Sequence, residues 1–207
     1  MNTVIFRALC LGLGYAVGLI QTAFIVGKLM GKGDIRKHGS GNAGTTNAVR
    51  VLGFKAGLTV FLCDVLKAVI GFVVCMLIFR DNMPLAGIYG GLGVILGHNF
   101  PFYLKFRGGK GSASFVGLVL CLGFVDYRVL LVVYISGLIV AILSKYISLA
   151  SLVITLLLPI SLGIFGFGLE AIILGGIIAC LSWVMHRKNI ARLLKGEENK
   201  FNFKKQS

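Results

Sequence analysis

Seven long runs of apolar residues, separated by short polar segments, constrain the fold of this chain more than any other feature. They cover residues 4–26, 56–79, 85–100, 113–125, 129–143, 149–167 and 171–185. Backbone groups inside a bilayer must pair internally, so runs that approach the roughly 20 residues of a membrane span form helices. The sequence therefore predicts a single domain over residues 1–207, an all-α integral membrane protein with about seven transmembrane helices. The run 113–125 is short, and it suits a tilted or partly embedded helix as well as a full span.

Composition supports this fold class. Of the 207 residues, 57% are hydrophobic and only 14% are charged, whereas soluble domains carry about 25% charged residues. A cytosolic globular fold and a disordered chain are both excluded. The net charge of +14, from 21 basic and 7 acidic residues, predicts loops that face anionic lipid or sites that bind anionic substrates. A nucleic-acid partner is not expected of so hydrophobic a chain.

Cysteines and histidines predict no metal site. The five cysteines stand singly in apolar runs without a C-x-x-C pair, and the three histidines lack companion ligands. A disulfide framework is not expected either. The first run is predicted to be a retained span rather than a signal peptide, because residues 8–27 carry no charge and no A-x-A-like cleavage site follows them.

The distribution of basic residues predicts the orientation in the membrane. With seven spans, 17 of the 21 fall on one side. They are Lys28, Lys32, Arg36, Lys37, Arg50, Lys55, Lys105, Arg107, Lys110, Lys145, Arg187, Lys188, Arg192, Lys195, Lys200, Lys204 and Lys205. Because basic loops stay in the cytoplasm, we expect the N-terminus outside and the C-terminus inside. His38, His98 and His186 fall on the same cytoplasmic side, where we expect the chemistry.

The first polar cluster, residues 39–50, combines glycines with short hydrogen-bond donors and ends in Arg50. Its donors are the side chains of Ser40, Asn42, Thr45, Thr46 and Asn47. Glycines allow close approach of the backbone, and an arginine fork suits an oxyanion, so the cluster predicts an anion site. The G-x-G-x-x-G match at 39–44 does not predict a dinucleotide site, since no strand precedes it. The alternative is a flexible polar loop before a helix that Thr46 or Asn47 caps.

The second cluster spans residues 97–101 and 106–112 and places Lys110 among three glycines, as a phosphate-binding turn does. It is not a Walker A loop, because Leu104 takes the place of the first glycine and Gly111 follows the lysine. The alternative is a basic turn that meets lipid phosphates.

The third cluster, residues 186–198, places His186 and Asn189 three apart, on one face of a helix. The alternative for His186 is an ordinary interfacial residue. Ser148, at the last cytoplasmic turn, either caps a helix or supplies a hydroxyl to the site. Within the second run, Asp64 and Lys67 predict an internal ion pair that supports the first loop, because charges inside a membrane are costly.

In their order and spacing, these clusters resemble the signature motifs of the bacterial acyl-phosphate:glycerol-3-phosphate acyltransferases, the PlsY family. The residues that carry the resemblance are Ser40, Gly41, Asn42, Gly44, Thr46, Asn47, Arg50, Gly97, His98, Pro101, Phe106, Gly108, Gly109, Lys110, Gly111, His186, Asn189, Ile190, Arg192, Leu193, Gly196 and Glu198. The resemblance implies an enzyme of the bacterial cytoplasmic membrane whose site faces the cytoplasm. It would transfer a fatty acyl group from acyl phosphate to the 1-hydroxyl of glycerol 3-phosphate. The products would be lysophosphatidate and inorganic phosphate, in the first step of phospholipid synthesis.

The resemblance also implies site residues and partners. The catalytic residues expected from it are Ser40, Arg50, Lys110, His186 and Asn189. The expected substrate-binding residues are Ser40, Gly41, Asn42, Thr46, Asn47, Arg50, His98, Gly108, Gly109, Lys110, Gly111, Ser148, His186, Asn189 and Glu198. Glu198 is further expected to anchor the tail by pairing with a loop cation. We expect no cofactor and no metal, glycerol 3-phosphate and acyl phosphate as substrates, membrane lipid as the surroundings, and a monomer.

Two other functions remain open at the level of the sequence. A small transporter of a phosphorylated solute would suit the basic loops and the charges at Asp64 and Lys67, although no inverted repeat is evident. Phosphoalcohol transfer from a nucleotide-activated lipid would need clustered carboxylates for a divalent metal, and the seven acidic residues are dispersed.

Overall fold

A computed structural model describes residues 3–200, and the regular elements within that range are all helical. Lys204 and Lys205, which contribute to the predicted cytoplasmic charge, lie outside the described residues. The long helices are α1 (Thr3–Gly18), α4 (Phe54–Ile78), α5 (Met83–Asn99), α6 (Ser112–Val125), α7 (Tyr127–Ser144), α8 (Ile147–Ile164) and α9 (Leu169–Met185). The eight-residue helices are α2 (Thr22–Leu29), α3 (Thr45–Leu52) and α10 (Arg187–Leu194). Short 3-10 turns cover Ile35–Lys37, Arg80–Asn82 and Phe102–Leu104.

Four stretches within the described range are long and apolar enough to cross a membrane. They are Val4–Leu29, Phe54–Ile78, Tyr127–Ser144 and Ile147–Ile164, and a fifth is added if α9 and α10, bent by 64°, count as one span. All seven apolar runs of the sequence are helical, but α6 with its 14 residues rises only about 21 Å. That length is well short of a hydrocarbon core of about 30 Å.

The first apolar run is a candidate span, as predicted, but it consists of two helices rather than one. α1 ends at Gly18 and α2 begins at Thr22, with Gln21 in the break. The buried Nε2 of Gln21 donates to the carbonyl oxygens of Gly18 (3.3 Å), Gly97 (3.3 Å) and His98 (3.1 Å). All three carbonyls belong to the last turn of α1 or α5, where carbonyl oxygens lack a partner within the helix, so the amide stabilises the break.

The described residues form two compact units, the first ending at Cys121 and the second beginning at Leu122. In the first unit α1 and α5 meet along a glycine seam, formed by Gly14 and Gly18 of α1 and Gly90, Gly93 and Gly97 of α5. A methyl group at any of these positions would overlap backbone or side-chain atoms of a neighbouring helix. Small residues let membrane helices approach closely enough for backbone contact, so the seam holds α1 and α5 tightly together.

The outer face of α4 is apolar although its inner face carries charge. Leu58, Leu62 and Leu66 recur every fourth residue and are 43–56% exposed, whereas Asp64 and Lys67 are buried. This distribution is the reverse of that in soluble proteins and is expected of a helix whose outer surface meets lipid.

The second unit is built on α8, which packs against both α7 and α9. Gly175 of α9 lies close to the backbone of Pro159, and the indole nitrogen of Trp183 donates to the carbonyl oxygen of Leu152 (3.3 Å). α10 follows α9 after a bend of 64°. The bend sets the residues of the third cluster at the end of this bundle.

Candidate functional site

The first polar loop is closed by the side chain of Asn47. Its Oδ1 accepts from the backbone N–H of Ser40 (2.8 Å), and its Nδ2 donates to the carbonyl oxygens of Ile35 and His38 (both 3.1 Å). Asn47 is fully buried, and a methyl group at Gly39 would collide with its Oδ1. Gly39 has φ +59°, a left-handed conformation that favours glycine. Asn47 therefore shapes the loop from beneath.

The alternative interpretation of this cluster, a loop before a helix capped by Thr46 or Asn47, is wrong about the cap. The N-cap of α3 is Gly44 in an extended conformation, and Thr46 and Asn47 lie inside the helix. The amide of Asn47 cannot cap because it is occupied by the loop. Ser40, Thr46 and Arg50 are exposed, and Asn42 is half-buried, so the loop and helix α3 together present these polar groups outward.

Arg36 connects the first loop to the second. Its Nη1 donates to the carbonyl oxygens of Leu104 (3.0 Å) and Arg107 (2.7 Å), and its Nε and Nη2 pair with Asp34. Hydrogen bonds from the Arg36 guanidinium hold the pKa of the Asp34 carboxyl below its ordinary value. Because Asp34 stays ionised, Arg36 is fixed in the orientation that brings the two loops together.

The glycine turn, Gly108–Gly111, is stacked on the end of α5. The N–H of Gly108 donates to the carbonyl oxygen of Asn99 and that of Gly109 to His98, both at 3.1 Å. These two amides therefore already have backbone partners and do not bind a ligand in this conformation. The N–H groups of the first turn of α6, which follows directly, have no partner inside the helix and supply anion-binding donors. Lys110 is half-buried at the start of that helix.

Gly109 is also the point at which both loops touch. A methyl group there would collide with Nε2 of His98 and lie 2.7 Å from the carbonyl oxygen of Ala43, a residue of the first loop. Glycine is required at this position by space alone. The structure thus brings the first loop, the glycine turn and His98 together within the first unit.

Beneath the turn lies the ion pair predicted from Asp64 and Lys67, which the structure confirms with an Nζ–Oδ1 distance of 2.8 Å. Nζ of Lys67 also contacts Nδ1 of His98 (2.7 Å) and the carbonyl oxygen of Ile20 (2.8 Å). The hydroxyl of Thr22 donates to Asp64 at 3.3 Å. His98, predicted to bind substrate, is 3% exposed, and its ring and carbonyl oxygen both lie against Gly109 of the glycine turn.

In the second unit, Glu198 gathers three side chains. Its carboxylate accepts hydrogen bonds from Nδ2 of Asn189 (2.8 Å), Nε of Arg192 (2.7 Å) and the hydroxyl of Ser148 (3.1 Å). Glu198 thus pairs with a cation, as predicted, but that cation is Arg192 of helix α10 rather than a residue of a loop. Burial alone would raise the pKa of Glu198, but the hydrogen bonds from Arg192, Asn189 and Ser148 outweigh it and lower that pKa.

His186 ends α9 immediately before the bend, and it is 2% exposed. Its Nδ1 lies 2.8 Å from the carbonyl oxygen of Ser182. Because a carbonyl oxygen can only accept, Nδ1 carries the hydrogen, and in the neutral ring Nε2 keeps its lone pair. The basic nitrogen of the neutral His186 ring is therefore Nε2.

A family model described as glycerol-3-phosphate acyltransferase matches residues 8–196 of this chain. The chain belongs to the glycerol-3-phosphate acyltransferase family. Relatives of that name from Shouchella clausii and Thermoanaerobacter pseudethanolicus are each 40% identical to it, over 92% and 93% of this chain and 94% of each relative. Membership makes this acyltransferase an all-helical integral membrane enzyme of phospholipid biosynthesis. It decides against the transporter and the phosphoalcohol transferase that the sequence left open.

Two crystal structures share the fold of the acyltransferase. Both are of PlsY (YgiH), described as an integral membrane glycerol 3-phosphate acyltransferase. The glycerol 3-phosphate form is 33% identical with a TM-score of 0.84, covering 95% of this chain and 96% of that chain. The lysophosphatidic acid form is 32% identical with a TM-score of 0.81, covering 95% of each chain.

Two residues that organise the first unit of the acyltransferase are absent from those predicted to form its site. The structural role of Gln21 could have been suspected from the sequence, because it is an amide inside an apolar run. The role of Arg36 could not have been suspected, because it contacts only the backbone of Leu104 and Arg107, which lie about seventy residues away in the sequence.

The Glu198 cluster of the acyltransferase leads to a stability prediction. Replacing Glu198 with Gln should lower the free energy of unfolding by about 2 kcal/mol, because it removes bonds to a charged acceptor and sets an amide donor against Asn189. The folded pKa of Glu198 is depressed, so its contribution is present above the unfolded value of about 4.3 and is lost as the pH falls through the lower folded value.

Thermal melting in detergent, measured against pH, checks this. The difference between wild type and Glu198→Gln should be present at neutral pH and vanish in acid. Glu197→Gln is the matched control, since Glu197 is exposed. An equal loss of melting temperature in both variants would contradict a specific stabilising role for the Glu198 carboxylate.

Proposed function

We propose that this enzyme transfers a fatty acyl group from acyl phosphate to the 1-hydroxyl of glycerol 3-phosphate, releasing lysophosphatidate and inorganic phosphate. The observation that carries the proposal is the contact at Gly109 between the two glycine-containing loops. The first loop bears Ser40 and leads into α3, which carries Arg50, and the second bears Lys110. Two phosphorylated substrates require fixed cations and N–H donors close together, and these loops supply both. The glycerol 3-phosphate and lysophosphatidic acid named for the PlsY crystal structures support the same acceptor and product.

Acyl phosphate suits a site with these residues because it is an activated mixed anhydride. The acceptor oxygen attacks the acyl carbon, the bond from that carbon to the phosphate oxygen breaks, and phosphate leaves with the bonding electrons. Such a reaction depends on positioning and on stabilisation of the oxyanion more than on a strong base. The hydroxyl proton passes to Nε2 of His186 or to a substrate phosphate.

We assign the binding roles as follows. The acceptor, glycerol 3-phosphate, is bound by Ser40, Asn42, Arg50, Lys110, Ser148, His186 and Asn189. The glycine turn and the first turn of α6 hold the acyl phosphate. Gly41, Thr46 and Asn47 give the first loop its shape and donors, His98 supports the turn, and Glu198 orients Asn189 and anchors the tail.

The topology is part of the proposal. We propose one domain over residues 1–207, a monomer with seven spans in the bacterial cytoplasmic membrane, the N-terminus outside, and the C-terminus and the site facing the cytoplasm. The charge distribution of the loops supports this orientation. Because α6 rises only about 21 Å, seven spans require the turns that flank it to enter the edge of the hydrocarbon core.

The test supplies detergent-purified enzyme with acyl phosphate and glycerol 3-phosphate and measures inorganic phosphate and the lipid product. Phosphate release should require both substrates, and a reaction without glycerol 3-phosphate controls for hydrolysis. Parallel reactions offer acyl-CoA and acyl carrier protein in place of acyl phosphate, and we expect no lipid product from either. Comparable transfer from acyl-CoA would refute the proposed donor.

A further inference from the structure

Lys67 has its full set of hydrogen-bond partners inside the first unit. An ammonium group carries three hydrogens and accepts none. Its Nζ lies 2.8 Å from Oδ1 of Asp64, 2.8 Å from the carbonyl oxygen of Ile20 and 2.7 Å from Nδ1 of His98. Each hydrogen of the ammonium therefore has one partner, and the carboxylate of Asp64 is the one of opposite charge.

With Lys67 as an ammonium, its contact with the ring assigns the tautomer of His98. Because the ammonium can only donate, Nδ1 of His98 must accept, and the ring hydrogen resides on Nε2. Nε2 lies on the side of the ring that faces Gly109, at the junction of the two loops. The carbonyl oxygen of His98 also accepts from the N–H of Gly109 (3.1 Å). Ring and backbone of one residue thus both contact the turn.

We propose that Asp64, Lys67 and His98 form a positioning triad for acyl transfer. The Lys67 ammonium fixes His98 as its Nε2–H tautomer, and His98 in turn fixes the glycine turn in the conformation that receives the acyl donor. The role of the turn rests on the proposed function, whereas the tautomer depends on the triad alone. None of the three residues needs to touch substrate.

Energetic reasoning favours a positioning role over simple stabilisation. A buried ion pair contributes little net stability, because desolvation of both charges offsets their attraction, and apolar residues of similar volume often replace it without loss. Asp64 and Lys67 have side chains only 1% and 3% exposed. What apolar replacements cannot supply is a donor to Nδ1 of His98.

The experiment compares the wild type with the double variant Asp64→Leu/Lys67→Met, which removes both charges together and leaves neither one unpaired. Enzyme labelled with ¹⁵N in its histidines is examined by imidazole NMR, and the His98 signals are assigned from their loss in His98→Asn. Wild-type His98 should carry its hydrogen on Nε2, whereas His186 carries its own on Nδ1. In the double variant the His98 signals should move to a mixture of tautomers.

Kinetics complete the test. The double variant should melt close to the wild type, and its kcat should fall about 10²-fold, as expected when reacting groups are displaced slightly. Leu66→Met, on the exposed face of α4, is the control and should leave both readings unchanged. If wild-type His98 carries its hydrogen on Nδ1, the proposal is overturned, and this result needs no variant to fold.

A folded double variant with kcat within about threefold of the wild type also overturns the triad, as does a fall in kcat without any change in the His98 signals. Failure of the wild type to use acyl phosphate is a separate result. It would refute the proposed donor, while the NMR measurement would still decide the tautomer.

Discussion

Replacement of Lys110 by Ala is expected to lower kcat/KM for acyl transfer by about 10³-fold, the loss typical of removing one donor that stabilises developing charge. Lys110 stands between Gly109 and Gly111 at the start of α6 and is half-buried. In the proposed site this cation would meet phosphate with little competing water, so its charge would be poorly screened. Phosphate release from acyl phosphate with glycerol 3-phosphate measures the effect.

Lys105→Ala provides the matched control. Lys105 lies five residues earlier in the same loop and is exposed, so its replacement removes the same charge from the same region. We expect activity close to wild type in this variant and unchanged melting in both. Equal losses of activity in the two variants would show that only the general positive potential of the loop matters. If Lys110→Ala kept more than about a tenth of wild-type activity, Lys110 would not belong to the site.

Gly109→Ala should abolish measurable transfer and also lower the melting temperature. The added methyl group collides with Nε2 of His98 and lies 2.7 Å from the carbonyl oxygen of Ala43. Neither neighbour can move cheaply, because Lys67 holds the His98 ring and Ala43 is buried. The turn must shift instead, and a displacement near 1 Å at a reacting centre costs about 10²-fold or more in rate.

The control for this substitution is Gly12→Ala in α1, where an added methyl meets nothing within 4 Å. This variant should keep full activity and gain up to about 1 kcal/mol in stability, since alanine is the better helix former. Wild-type activity and melting in Gly109→Ala would show that the two loops do not depend on contact at this glycine.

The helices could be predicted from the sequence because lipid enforces a simple rule: an apolar run must satisfy its own backbone. All seven runs are helical. The rule fails at Gln21, where a side-chain amide takes over carbonyls that the helices leave unpaired. The same rule does not predict where α3 begins. Gly44 is its N-cap, whereas the side chain of Asn47, one of the two alternative cap residues, is buried against the loop.

The site was predictable as a set of motifs but not as a geometry. Ser40, Arg50 and Lys110 stand out because glycines surround donors and cations. The contact of Lys67 with His98 joins residues 31 positions apart, and no local pattern encodes it. Asn47 and His98 have the residue types of ligands, yet both are buried and form hydrogen bonds with the backbone of the loops. Only the three-dimensional structure shows these contacts.

The glycine seam between α1 and α5 has a consequence for genetic screens of this enzyme. At Gly14, Gly18, Gly93 and Gly97 any side chain would overlap backbone atoms. A neighbouring side chain could change its rotamer to relieve such an overlap, but the backbone cannot. A saturation library selected for growth will reject substitutions there as completely as it rejects changes to Lys110. Only a parallel count of protein abundance in the cell envelope separates the two groups, because seam variants disappear from it and Lys110 variants persist.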